Sequence, residues 1–112
     1  MNQVTIASTS TEEESLKTWV VYMILSSDDR LYTGITNDVT RRWHAHCHTK
    51  QGAKFFRGRR PKTLLYVDTG FNRSSASKRE AEIKKLPRAQ KLTLAATQSS
   101  TDWHLEFELS QP

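Results

Sequence analysis

Cysteine occurs once in the 112 residues, as Cys47, so no internal disulfide can staple the chain and its fold must rest on an apolar core. No apolar run approaches the ~20 residues needed to span a bilayer, which excludes a membrane-spanning helix as the organising element. The opening MNQVTIASTSTEEESLK has no positive segment followed by an apolar stretch, so it does not read as a secretory signal. These absences together predict a cytoplasmic protein in a reducing compartment, with association to the nucleoid as one option. There is no internal repeat. Acidic residues are scarce in the middle of the chain. Residues 1–18 sum to −2 and residues 97–112 to −3; with +5 for the whole, the stretch between them carries +10. A centre that cationic, flanked by acidic ends, predicts a phosphate-bearing partner and says nothing yet about chemistry.

What is present fits one small domain. The chain is 36% apolar and 26% charged, a globular rather than a disordered composition, and its length allows a single modest core. Residues 1–17, Ser/Thr-rich and then acidic, read as a flexible tail. Trp19-Val-Val-Tyr-Met-Ile-Leu25 and Leu31-Tyr-Thr-Gly-Ile35, parted by the polar Ser26–Arg30, read as two strands of a hairpin. Asn37 and Asp38 are N-cap residues for a helix over about 39–47, on which Arg42 and His46, four apart, share a face. Residues 49–62 read as a basic loop and 63–71 as a buried third strand. A helix follows from Ser74 or Ser75 to Leu86, and Pro87 stops it and opens another. The predicted fold is α+β, a small three-stranded, mainly antiparallel sheet flanked by helices in the order β-β-α-β-α-α. Residues 97–112 form an acidic extension in which DWHLEFEL alternates with period two, compatible with an added edge strand or an ordered tail.

That order, with the residues in it, resembles the GIY-YIG nuclease superfamily, and within it the short stand-alone bacterial group called YhbQ-like. The first signature falls on Val20-Val21-Tyr22 and the second on Tyr32-Thr33-Gly34; Arg42 follows eight residues after Gly34, and His46 four later. LYTGITNDVTRRWHAH is the most specific part of the likeness, GAKFFRG and REAEIKKLPRAQKLTL extend it, and it covers roughly residues 18–96. The usual first glycine is Val20 here. The asparagine that larger members place after their metal glutamate has no clear counterpart, Arg88 or Lys91 standing in that region. The resemblance implies a divalent-metal-dependent endonuclease acting on DNA, in repair or recombination, with Tyr22, Tyr32, Arg42, His46 and Glu80 as catalytic residues. RNA is not ruled out as a substrate, and a monomer or weak dimer is expected.

Phosphodiester hydrolysis needs a deprotonated nucleophile, neutralisation of charge on the phosphoryl oxygens and help for the leaving oxygen. The resemblance implies Glu80 rather than its neighbour Glu82 as the ligand for Mg²⁺ or Mn²⁺, and Mg²⁺ often keeps its waters and takes one or two carboxylates. Arg42 suits a two-pronged clamp on phosphate. A phenol ordinarily titrates near pH ~10, so Tyr32 or Tyr22 needs a nearby cation to act as a base, whereas an ordinary histidine such as His46 titrates near neutrality. Tyr32 is our first choice for taking the proton of water, and Tyr22 for positioning. Gly34 is read as structural, permitting an unusual backbone angle or close approach of the helix. Arg41, Lys54, Arg57, Arg59 and Arg60, extended by Lys84, Lys85, Arg88 and Lys91, are candidates to hold nucleic acid, with Phe55 and Phe56 either stacking on a base or anchoring the loop. His44, His46, Cys47 and His48 invite a zinc reading, but no second ligand pair occurs elsewhere in the chain. Two other functions compete: a nucleic-acid-binding module with this fold and no cutting, and an interaction protein whose acidic tails contact a partner or cover the basic face.

Overall fold

A computed structural model describes residues 17–111; the tail expected over 1–17 falls, but for Lys17, outside the described residues. Strands β1 (Trp19–Ser26), β2 (Leu31–Thr36) and β3 (Pro61–Phe71) form one sheet in the order β2-β1-β3, antiparallel throughout. β1 is central, and this is why Val21 to Ile24 is apolar on successive residues rather than alternate ones: both faces are covered. Its register against β2 sets Tyr22 opposite Gly34 and Ile24 opposite Tyr32. The period-two pleat therefore sends Tyr22, Ile24, Tyr32 and Gly34 to one face and Val21 and Met23 to the other.

Helix α1 (Val39–His48) covers the tyrosine face, packing Trp43 against Tyr22, Ile24, Leu64 and Val67. Its start is set by Asp38, whose side chain accepts the Arg41 amide. Helices α2 (Arg73–Lys84) and α3 (Arg88–Ala96) cover the opposite face, where Ala76, Ile83 and Ala95 meet Val21, Met23 and Tyr66. Asn72 and Ser75 cap α2 reciprocally. The basic loop is not structureless: Lys54–Phe56 make a single 3-10 turn. No helix of the described residues is long and apolar enough to cross a membrane.

The C-terminal extension corrects one of the two options left by its pattern. It is a helical turn, α4 (Trp103–Glu106), not a strand, with Asp102 accepting the amides of His104 and Leu105. Spacing explains the ambiguity: Trp103 and Phe107 are four apart as well as on one side of a period-two pattern, and their rings stack at 5.8 Å. The extension satisfies β3 through side chains instead. Gln98 accepts the Val67 amide at 2.9 Å and donates to the Val67 carbonyl at 2.8 Å, and His104 Nε2 accepts the Leu64 amide at 2.8 Å. Farther on, Trp43 donates to the Ser110 carbonyl at 3.0 Å, which ties the extension to α1. Edge groups left open invite pairing with another chain, so these side chains both stabilise and insulate. Gln98→Ala strips both partners from Val67 and is expected to cost about 1–3 kcal/mol in urea denaturation; an unchanged midpoint would show that the edge is not held this way.

Candidate active site

The hairpin and α1 converge on one cluster. Tyr22 and His46 are buried, 3% and 4% exposed, and Tyr22 Oη lies 2.7 Å from His46 Nε2. Tyr32, half-buried, stands edge-on to His46 with ring centroids 5.3 Å apart, and 6.1 Å from the ring of Tyr22. Phe55 and Phe56 close the cluster on the loop side, at 5.3 and 5.2 Å from Tyr32. Both thus anchor the loop, which leaves base stacking open only to an exposed part of either ring.

The floor of the cluster is Gly34. A Cβ there would lie 2.7 Å from Tyr22 Oη, 2.8 Å from Tyr22 Cζ and 2.8 Å from Tyr32 Cε2. The expectation of an unusual backbone angle or of helix approach at Gly34 is therefore corrected: the positive-φ glycines are Gly58 and Gly70, and what crosses Gly34 is the phenol of Tyr22. Gly52 does the equivalent work on the other side. Its Cβ would meet Ala45 O and His46 Cα, each at 2.8 Å, so only glycine lets the loop close onto α1 here. That closure brings the Ala53 amide to His46 Nδ1 at 3.2 Å.

This amide fixes the proton on His46. Nδ1 accepts from Ala53, so neutral imidazole carries its proton on Nε2 and donates it to Tyr22 Oη. Tyr22 must then point its own proton away from His46. Burial pushes the Tyr22 phenol well above its ordinary range, with the neighbouring Tyr32 adding to the effect and Arg42 opposing it. Burial, then the like charge of Arg42, lowers His46 to about 4. The sequence reading of His46 as a group titrating near neutrality is corrected accordingly: both ring nitrogens are engaged and the ring is held neutral.

A stability prediction follows from the sign of that shift. Unfolded histidine, titrating near ~6.5, takes up a proton that folded His46 refuses, so stability is lost as pH falls from about 6.5 through 4. The full effect is on the order of 3 kcal/mol. Unfolding free energies at neutral and mildly acid pH are expected to fall more steeply for the native chain than for His46→Gln; equal slopes would contradict the assignment.

Arg42 stands one turn before His46 on α1 and lines a small hollow with Tyr22, Thr36 and Trp43. Its Nη1 donates to the Gln51 carbonyl at 3.1 Å, and among the described residues no carboxylate neutralises it. The structure thus brings Tyr22, Tyr32, Arg42 and His46 together. Glu80 stands on α2, which packs across β2 and β1. It is half-buried, pairs with Lys84 at 3.5 Å, and makes no hydrogen bond to the other four. As a donor set, one partly buried carboxylate fits a hard cation that keeps most of its waters and fits a closed zinc site badly. His44 and His48 lie with rings 4.9 Å apart, and among the described residues no third His, Cys, Asp or Glu joins them in a metal-binding group.

The predicted basic residues divide. Lys54, Arg57, Arg60, Lys85 and Arg88 are exposed and Lys91 half-exposed, none in an ion pair among the described residues. Arg60 and Lys50 border a hollow of about 350 Å³ beside His46 and Phe56. Arg59 has structural work: it bonds Asp28 at 3.1 Å and the Phe55 carbonyl at 3.2 Å, and lies 4.5 Å over the Phe55 ring. Arg41 pairs loosely with its own cap, Asp38, at 3.9 Å. Sequence reasoning missed the Ala53 amide, Gly52 and Arg30; a backbone amide leaves no residue-type signal, and Gly52 looked like any loop glycine.

Comparison with known proteins places the sequence in a family. Residues 18–93 match the GIY-YIG catalytic domain. The chain is 46% identical over 76 residues to UPF0213 protein DP2720 of Desulfotalea psychrophila, covering 68% of this chain and 69% of that one. It is 41% identical over 90 residues to UPF0213 protein CPE1444 of Clostridium perfringens (80% and 96% covered), and 42% over 78 residues to UPF0213 protein YhbQ of Escherichia coli (70% and 77%). The solution NMR structure of UPF0213 protein BH0048 from Bacillus halodurans is 32% identical, with a TM-score of 0.47 over 84% of this chain and 98% of that one. The chain, with its signature tyrosines meeting on one sheet face under α1, belongs to the GIY-YIG catalytic domain family, in the stand-alone YhbQ-like group.

Proposed function

We propose that the protein is a divalent-metal-dependent endonuclease that hydrolyses DNA phosphodiester bonds by direct attack of water. The observation that supports this most is the Tyr22–His46 hydrogen bond beside Arg42, a guanidinium that no carboxylate neutralises among the described residues. Arg42 grips two phosphoryl oxygens through parallel N–H groups. Tyr22, kept protonated by burial and oriented by His46, donates its hydroxyl proton to the same phosphate. The general base is then Tyr32 by elimination. Tyr22 is held protonated and both nitrogens of His46 are engaged. His46 is a positioning residue for Tyr22. Glu80 would hold Mg²⁺ or Mn²⁺, which supplies charge neutralisation at the phosphate and support for the leaving oxygen.

One observation favours the competing reading of a binding module without cutting: the Glu80 carboxylate already has a cationic neighbour, Lys84, 3.5 Å from one of its oxygens. Supercoiled plasmid and branched oligonucleotides incubated with pure protein separate the two. Relaxed circles formed with Mg²⁺ or Mn²⁺ and absent with EDTA are the expected result; salt-sensitive binding without any metal-dependent cut would favour the module. We place the activity in the cytoplasm, in DNA repair or recombination.

A further inference from the structure

The two edges of the sheet are used differently. β3 is closed by Gln98 and His104 of the chain's own extension. At β2, the other edge strand, a groove of about 260 Å³ opens beside its first residue, lined by Arg30, Leu31, Phe55, Arg88 and Lys91. Arg88 and Lys91 are three apart on α3 and so share a helix face. Neither makes an ion pair or a side-chain hydrogen bond among the described residues. Arg30 reaches only Asp28, at 3.5 Å and in the open, and Asp28 is held more closely by Arg59 at 3.1 Å. No carboxylate lines the groove. Between its three cations the lining is apolar, and Phe55 there is the same ring that lies 5.3 Å from Tyr32. The groove therefore adjoins the proposed base.

Cations alone would suit the outside of any nucleic acid. A duplex, however, presents sugar and phosphate outward and keeps its bases stacked inside, so an apolar lining between cations gains nothing from it. An unpaired nucleotide offers a phosphate to Arg30, Arg88 and Lys91 and a base face to Phe55 and Leu31. We propose that this groove binds an unpaired strand adjoining the scissile phosphate, so that the substrate is DNA with a single-stranded segment next to the cut. This rests on the nuclease reading above and narrows its substrate class.

Binding of the full chain to fluorescent oligothymidylate and to a blunt hairpin duplex, measured by anisotropy in EDTA so that nothing is cut, tests it. The double variant Arg88→Gln/Lys91→Gln touches two side chains without partners among the described residues and should fold as the native chain does. It is expected to weaken oligothymidylate binding about tenfold across ~50–200 mM salt and to lower the salt slope by about 1.4, with duplex binding changed less than about twofold. Phe55→Leu keeps the apolar lining but loses the stacking face; it is expected to cost about tenfold on oligothymidylate with the salt slope unchanged. Equal weakening on both probes by the double variant, or none on oligothymidylate, would overturn the groove while metal-dependent plasmid nicking leaves the nuclease reading standing. A native chain that binds neither probe would overturn both.

Discussion

Gly34→Ala is expected to lower the single-turnover cleavage rate by about 100-fold or more while leaving a folded protein. The added Cβ enters a space already filled by Tyr22 Oη and Cζ and by Tyr32 Cε2, all within 2.8 Å. Relief by a small side-chain swing is blocked, because Tyr22 is buried and pinned to His46, itself pinned to the loop by the Ala53 amide. One methyl group therefore displaces the proposed phosphate donor and the proposed base together. The fold should lose less, about 1–3 kcal/mol for overpacking, because Thr33 and Ile35 face the other side of the sheet. Thermal unfolding beside the rate measurement separates the two effects. A near-native rate in a folded Gly34→Ala protein would mean that the tyrosines are not held as described.

The second large effect is expected from Arg42→Lys, which keeps the charge and removes the fork. Lysine offers a point charge on a flexible stem, where arginine presents two parallel donors at fixed spacing. A loss of roughly 10²–10³-fold in the rate at saturation is expected, comparable to removing a preorganised donor from a developing charge. Binding in EDTA, which senses the net charge, should change by less than about threefold. If the Arg42→Lys protein cuts as fast as the native chain, Arg42 is an electrostatic attractor and not a clamp on the reacting phosphate.

How much of this was legible in the sequence differs by element. The hairpin, α1 and the two later helices followed from composition and punctuation: Asp38 and Pro87 act through local chemistry that needs no tertiary context. The grouping of Tyr22, Tyr32, Arg42 and His46 was implied by the family resemblance, and the hairpin register that sets Tyr22 opposite Gly34 and Ile24 opposite Tyr32 puts both tyrosines on one face. The behaviour of His46 did not follow. Its depressed titration arises from burial and from the Arg42 charge, and its proton is placed by a backbone amide seven residues later; burial and a loop amide are not properties of residue type. Arg59 looked like its basic neighbours because Asp28, its partner, lies thirty-one residues away. The extension misled for a related reason: Trp103, Phe107 and Leu109 pack against the buried cluster that holds Trp43, and side-chain packing can impose a period-two pattern without a strand.

The central claim is that this tyrosine–histidine–arginine cluster, with Glu80 holding a divalent cation, hydrolyses a phosphodiester. The most direct measurement is the single-turnover cleavage of a labelled branched DNA by the native chain and by Glu80→Gln, titrated with Mg²⁺ and with Mn²⁺, alongside binding of the same DNA in EDTA. Cleavage by the native chain that rises with metal and disappears in EDTA, with Glu80→Gln binding equally and cutting at least about 100-fold more slowly, is the predicted result. Cleavage that persists in EDTA, or that Glu80→Gln performs at the native rate, would contradict it.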